Sequence, residues 1–169
     1  IRSRRPIPTY MNVQTRSTLI RRFEYCFKGK GGYPAILDLQ KDITIGVPVT
    51  IEGPAGGLEF LPMDMEHGHI RCLGFRIGNL AYCNDVSDLP PDTLDALRGV
   101  EIFIVDALRY TPHPTHANLE QALKWIELVA PRQAVLTNLH VDMDYATLIE
   151  ELPGHIVPGH DGLCIDFTI

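Results

Sequence analysis

Three short apolar runs in this chain each border a residue that can take a proton or a cation, and all of them lie within positions 64–116. The run IRCLGFRI (70–77) follows His67, LAYCN (80–84) leads to Asp85, and VEIFIV (100–105) leads to Asp106. A Pro-rich loop carrying His113 and His116 comes next. Strands hold geometry and the loops between them supply function. Polar groups collected at several strand ends are therefore what a metal-centred hydrolytic site requires.

The pattern around these runs predicts an α/β unit. Residues 6–13 read as a short strand behind a proline, and Thr15 as the cap of a helix over roughly 16–26 that ends at the glycines 29, 31 and 32. Alternation over 34–64, broken at Pro48 and at GPAGG (53–57), predicts antiparallel strands at 43–45, 47–52 and 58–63. Gly78-Asn79 joins 70–77 to 80–84 as a hairpin. Pro90, Pro91 and Asp92 start a short helix to about Leu97. Leu119, Ala122, Leu123, Ile126 and Val129 share one face of a helix over 118–129. Strands at 100–105, 133–137 and 163–168 and a helix over 144–152 complete a single expected domain, 1–169, with helices packed outside a sheet.

Composition narrows the function. A 45% hydrophobic and 21% charged chain is ordinary for a soluble globular protein, and a net charge of −6 excludes a whole-molecule, non-specific nucleic-acid binder. The first 30 residues depart from this, with Arg2, Arg4, Arg5, Arg16, Arg21, Arg22, Lys28 and Lys30 against one acid, Glu24. A solvated basic face is the plainer reading of that stretch. Cys26, Cys72, Cys83 and Cys164 show no C-x-x-C spacing and read as reduced thiols of a cytoplasmic protein. No membrane span or signal peptide is visible.

Candidate chemistry rests on histidines and aspartates. His67, beside Gly68, is a metal-ligand candidate, preferred over His69. Asp85 follows a buried strand, where a carboxylate is costly unless it is paired or bound to metal, and one Asp can bridge two cations. An Asx turn or cap is the plainer alternative. Asp106 is placed to orient a ligand histidine. His113 and His116 precede a helix whose start attracts anions, and Asn118 can cap that helix. A histidine there can protonate a leaving oxygen. His140 lies just past the strand 133–137, as a ligand or a strand-end polar residue. Asp161-Gly162 reads as a tight turn, and His155 and His160 as surface residues. His and Asp without Cys favour hard or borderline divalent ions.

These segments resemble a known family: H-G, then LGFRIG-LAY-x-x-D, then VD-LR-x-x-PHPTHANLEQAL, then LTN-x-H-x-D-x-DY, then a closing D-G. The pattern is similar to that of the metallo-β-lactamase-fold hydrolases, most of all the phosphodiesterase branch that includes the cyclic-phosphoribose phosphodiesterase of phosphonate breakdown. The resemblance implies a four-layer αββα sandwich with two divalent ions, zinc or manganese, at one edge. It implies that His67 binds metal, that Asp85 bridges both ions and acts in catalysis, and that His116 is the general acid or phosphate ligand. It implies substrate contacts from His116, His113 and Asn118, and a last metal ligand in 137–140, either Asn138 or His140. The family's first metal motif, H-x-H-x-D-H, does not occur here. The resemblance thus implies the later two-thirds of the family domain, incomplete at its N-terminal side, with a preceding segment or companion chain supplying the rest.

The function expected is hydrolysis of a small cyclic or nucleotide-like phosphate ester by a metal-bound hydroxide. Partners expected are that ligand, the N-terminal segment or companion chain, no membrane, and an open option of a homodimer. The rival readings are an RNA-processing nuclease of the same superfamily and a catalytically inactive nucleotide-binding fragment. A thiol-ester or lactam substrate also fits the fold.

Overall fold

Alternation along residues 49–77 becomes the antiparallel half of a seven-stranded sheet in the computed structural model, which describes residues 5–167 and 169. The chain divides into two compact units, Ile1–Val47 and Pro48–Ile169.

In the first unit, β1 (Ile7–Thr9) pairs in parallel with β2 (Leu37–Leu39), and α1 (Val13–Lys28) connects them. The helix starts earlier than Thr15 because Asn12, in extended backbone, accepts the Thr15 amide at 2.8 Å. Gly29, at φ 70, ends it. The expected strand 43–45 is instead a turn: the Val47 amide donates to the Thr44 carbonyl, and Gly46 takes φ 74. Of the basic residues, Arg2 and Arg4 lie outside the described residues. Arg16 pairs with Asp42 at 2.9 Å and Lys28 with Glu24 at 2.6 Å, so part of the positive charge is neutralised within the unit.

The second unit runs β3 (Val49–Gly53), β4 (Gly56–His67), β5 (Ile70–Ile77), β6 (Leu80–Cys83), α2 (Pro91–Ala96), β7 (Ile102–Asp106), α3 (Leu119–Val129), β8 (Gln133–Thr137), α4 (Tyr145–Glu151) and β9 (Ile156–Pro158). The strands lie in sequence order across the sheet. Neighbours from β3 to β6 are antiparallel, and those from β6 to β9 are parallel. The Gly78-Asn79 hairpin pairs Ile77 with Leu80, with Gly78 at φ 54. The last strand is not 163–168: residues 163–167 carry no strand, residue 168 lies outside the described residues, and 156–158 takes the place beside β8. Buried Ile156 and Pro158 take that place, and after the Gly162 turn Leu163 and Ile165 line a groove with Ile104 and Val135.

One face of the sheet makes the core. Met63, Met65, Ala81, Cys83, Phe103, Val105, Ala134 and Leu136 meet Leu97 and Val100 near α2 and Ala122, Trp125 and Ile126 of α3. Burying Trp125 and Ile126 stabilises the helix by roughly 1.5–3 kcal/mol each. The Asn118 side chain caps α3 by accepting the Gln121 amide at 3.0 Å. Among the described residues no helix is long and apolar enough to cross a membrane.

This topology decides where chemistry can sit. Strands β4 and β6 are both antiparallel to β5, and β6 to β9 are parallel, so β4, β6, β7, β8 and β9 all run the same way. Their carboxyl ends share one rim, the place where sheets of this kind bind ligands.

Candidate metal centre

His67 is the last residue of β4, opposite Ile70 across a two-residue turn. Gly68 in that turn has φ 62, and a Cβ there would lie 2.5 Å from Thr115 Cγ2. Glycine thus lets the 112–117 loop close against the hairpin. The closure sets the histidine: His67 Nδ1 lies 2.7 Å from the Thr115 carbonyl oxygen. A carbonyl only accepts, so Nδ1 carries the proton and Nε2 keeps its lone pair for a cation.

Asp106 ends β7 with 0% of its surface exposed. Its Oδ2 accepts from His116 Nδ1 at 2.7 Å and from the Val86 amide at 3.2 Å, and its Oδ1 accepts from Asn138 Nδ2 at 3.2 Å. A buried carboxylate is tolerable only with such donors. The bond fixes the proton of His116 on Nδ1 and leaves Nε2 for substrate or solvent. The His116 ring is 4.7 Å from that of His67 and 5.2 Å from that of His113. Asp85 Oδ1 is 3.8 Å from His116 Nδ1, and the Asp85 side chain is 56% exposed. One donor atom each from Asp85, Asp106 and His116 lies within 4.8 Å of the others.

The backbone is strained at two of these positions. Among the described residues, three non-glycine residues have positive φ: Asp85 (56), Ala130 (51) and Asn138 (61). Ala130 ends α3. The other two lie just past β6 and β8 on the rim, where left-handed backbone costs about 1–2 kcal/mol for most residues and least for Asx. Strain held at strand ends marks a position kept for something other than stability.

Charge follows the geometry. Burial, then Asp85, pushes the Cys72 thiol up to about 11, and burial pushes Cys83 up to about 12. Burial and then Arg109 hold His113 below the usual histidine range. That direction favours the neutral imidazole, whose Nδ1 accepts the Thr115 amide at 3.3 Å.

The structure brings His67, Asp85, Asp106, His113, His116 and Asn138 to one place. His140 lies just past β8 with its Nδ1 bonded to the Asp142 carboxylate at 2.7 Å, a bond that leaves its Nε2 free. Asn118 uses both ends of its amide within the protein, accepting from Gln121 and donating to the Tyr110 carbonyl at 3.3 Å. It still lines a groove of about 460 Å³ with His113, Gln121 and Trp125. A second groove of about 390 Å³ opens beside Asn138, between Leu139, His160 and Asp161. Sequence reading missed Thr115, whose carbonyl sets the His67 tautomer, because a backbone oxygen leaves no signature in residue type.

These residues fit a divalent ion. The His116 imidazole and the Asp85 and Asp106 carboxylates converge, with the His67 ring 4.7 Å from that of His116, and donors of these types suit zinc or manganese. Asn138 turns its NH₂ to Asp106, which leaves its carbonyl oxygen as a further hard donor. Asn84, the residue before Asp85, has its Oδ1 buried without a hydrogen-bond partner among the described residues.

Residues 1–138 match the family model of the β-lactamase superfamily domain. The chain is 28% identical, over 167 residues, to an octanoyltransferase of Porphyromonas gingivalis (strain ATCC BAA-308 / W83), covering 94% of this chain and 32% of that protein. Its structure is similar to the crystal structure of a diphosphatase from the PhnP family, with a TM-score of 0.84, 28% identity, and coverage of 98% of this chain and 60% of that one. Zinc-bound PqqB from Methylobacterium extorquens (TM-score 0.68, 14% identity, 96% and 66% covered) and human short-form tRNase Z (0.63, 14%, 99% and 69%) share the fold. The chain thus spans 32% of the octanoyltransferase and 60% of the diphosphatase. It belongs to the β-lactamase superfamily and has the metallo-β-lactamase fold.

Proposed function

We propose that this rim is the metal centre of a hydrolase that cleaves a small cyclic or nucleotide-like phosphate ester. The observation that carries the reading is the Asp106 hub, which holds His116 and Asn138 directly and leaves Asp85 within 3.8 Å of His116. The likeness to a diphosphatase supports a phosphate substrate.

In this reading His67 Nε2, the Asp85 carboxylate and the Asn138 carbonyl oxygen hold a divalent ion, and His140 is the alternative to Asn138. When bound, such an ion supplies Lewis acidity and water activation near neutral pH. His116, pinned through Nδ1, places Nε2 to hold a phosphoryl oxygen or to protonate the leaving oxygen. His113, its ring 5.2 Å from that of His116, adds a second imidazole beside it. The buried Asp106 carboxylate steadies the imidazolium that forms when His116 takes up a proton. The four thiols are free, in keeping with a cytoplasmic setting.

The test is hydrolysis of bis(p-nitrophenyl) phosphate with added Mn²⁺ or Zn²⁺, before and after His67→Ala and His116→Ala. The expected result is turnover that needs metal and falls at least about 100-fold in each variant. Undiminished turnover in His67→Ala removes the proposed centre.

A further inference from the structure

Asp85 is the candidate ligand with the least regular support. It lies beyond the end of β6, in left-handed backbone, with its side chain more than half in solvent. Yet a metal ligand has to be held still for its oxygen to contribute affinity.

The peptide that follows Asp85 is held at both ends. Its carbonyl oxygen accepts the thiol of Cys72, with Sγ 3.0 Å away. Its amide, on Val86, donates to Asp106 Oδ2 at 3.2 Å. Cys72 lies on β5 and Asp106 on β7, the two neighbours of β6. The Val86 carbonyl in turn accepts the Ala117 amide at 2.7 Å, next to His116. The peptide plane cannot rotate without losing a bond on each side.

Cysteine suits this place better than the residues it resembles in size. Cys72 packs against the apolar core, where a thiol acts as a small hydrophobe with one weak donor. The Met65 carbonyl is a second acceptor for it, at 3.8 Å, so the nearer bond is the one to Asp85. Alanine would fill part of the space and donate nothing.

We infer that Cys72 is a positioning residue of the centre: with Asp106 it clamps the Asp85–Val86 peptide and so aims the Asp85 carboxylate at the cation. This rests on Asp85 being a metal ligand, as read above. Cys72 touches no substrate and acts only through that peptide. Partners of this outer kind are worth about 10–100-fold in metal affinity.

The experiment compares the full chain with its Cys72→Ala and Cys72→Ser variants. Two quantities are read: exchange of the Val86 amide hydrogen by NMR without metal, and Zn²⁺ affinity by competition with a chromogenic chelator. Melting temperature serves as the control for folding. Cys72→Ala is expected to speed Val86 exchange and weaken Zn²⁺ binding, each by about 10-fold. Cys72→Ser, which restores a donor, is expected to recover most of both. Parent-like exchange and affinity in Cys72→Ala would overturn the clamp. So would equal losses in the serine and alanine variants, which would assign the effect to packing. If the parent itself takes up no Zn²⁺, the metal reading of Asp85 fails, while the exchange rates still decide the clamp.

Discussion

The two halves of the large sheet place their polar groups by different means. On the antiparallel side, His67 is the last of seven paired positions between β4 and β5, so the register of a long hairpin locates it. On the parallel side, Asp85 and Asn138 lie beyond the ends of β6 and β8, in strained backbone, and a side-chain network locates them. That network has one centre, Asp106. Removing His67 gives up one hydrogen bond, to the Thr115 carbonyl, whereas removing the hub of the network gives up three.

Asp106→Ala is expected to have the largest effect. It strands the Val86 amide, the His116 imidazole and the Asn138 amide, at a cost of about 3 kcal/mol or more in chemical denaturation. Zn²⁺ binding should disappear with it. Normal stability in this variant would break the contrast between the halves. His67→Ala should do the reverse: unfolding free energy within about 1 kcal/mol of the parent, and Zn²⁺ affinity lowered by more than about 100-fold. A large loss of stability there would mean that the hairpin is part of the network.

Gly68→Ala sharpens the comparison at the point where the hairpin meets the 112–117 loop. The new Cβ meets Thr115 Cγ2 and the residue must keep a positive φ, so a loss of roughly 1–2 kcal/mol is expected, with weaker Zn²⁺ binding. Parent-like values would show that the loop yields freely. The smallest effect concerns thiols. With Cys72 and Cys83 raised to about 11 and about 12, their thiolate fractions at pH 8 are very small, whereas Cys164 is exposed. Iodoacetamide should therefore label Cys164 well before either, as read by mass spectrometry. Raising the pH toward 11 should narrow the gap for half-buried Cys72 before buried Cys83.

Much of this was legible in the sequence, for reasons that differ by element. The runs 70–77 and 133–137 are strands to the residue, and the 118–129 pattern is a helix with Asn118 as its cap. Period and capping chemistry are local, so local sequence carries them. The final strand was not legible. LCIDFT has the stronger strand composition, but the place beside β8 belongs to 156–158, a matter of tertiary pairing. In the site, Asp106 could be marked as a carboxylate closing an apolar run. Its three donors come from positions 86, 116 and 138, which only folding brings together. The segment 138–140 shows the limit most sharply. Residue type leaves Asn138 and His140 as alternatives, and it does not show that Asn138 turns its amide onto Asp106 while His140 takes Asp142 as its partner.

In the proposed reading this rim holds a divalent ion between His67 and Asp85. Anomalous diffraction from crystals soaked in Zn²⁺ tests it most directly. A peak is expected about 2.0–2.2 Å from His67 Nε2 and from an Asp85 carboxylate oxygen. A crystal with no peak there, or with its strongest peak at His140 and Asp142, would contradict it.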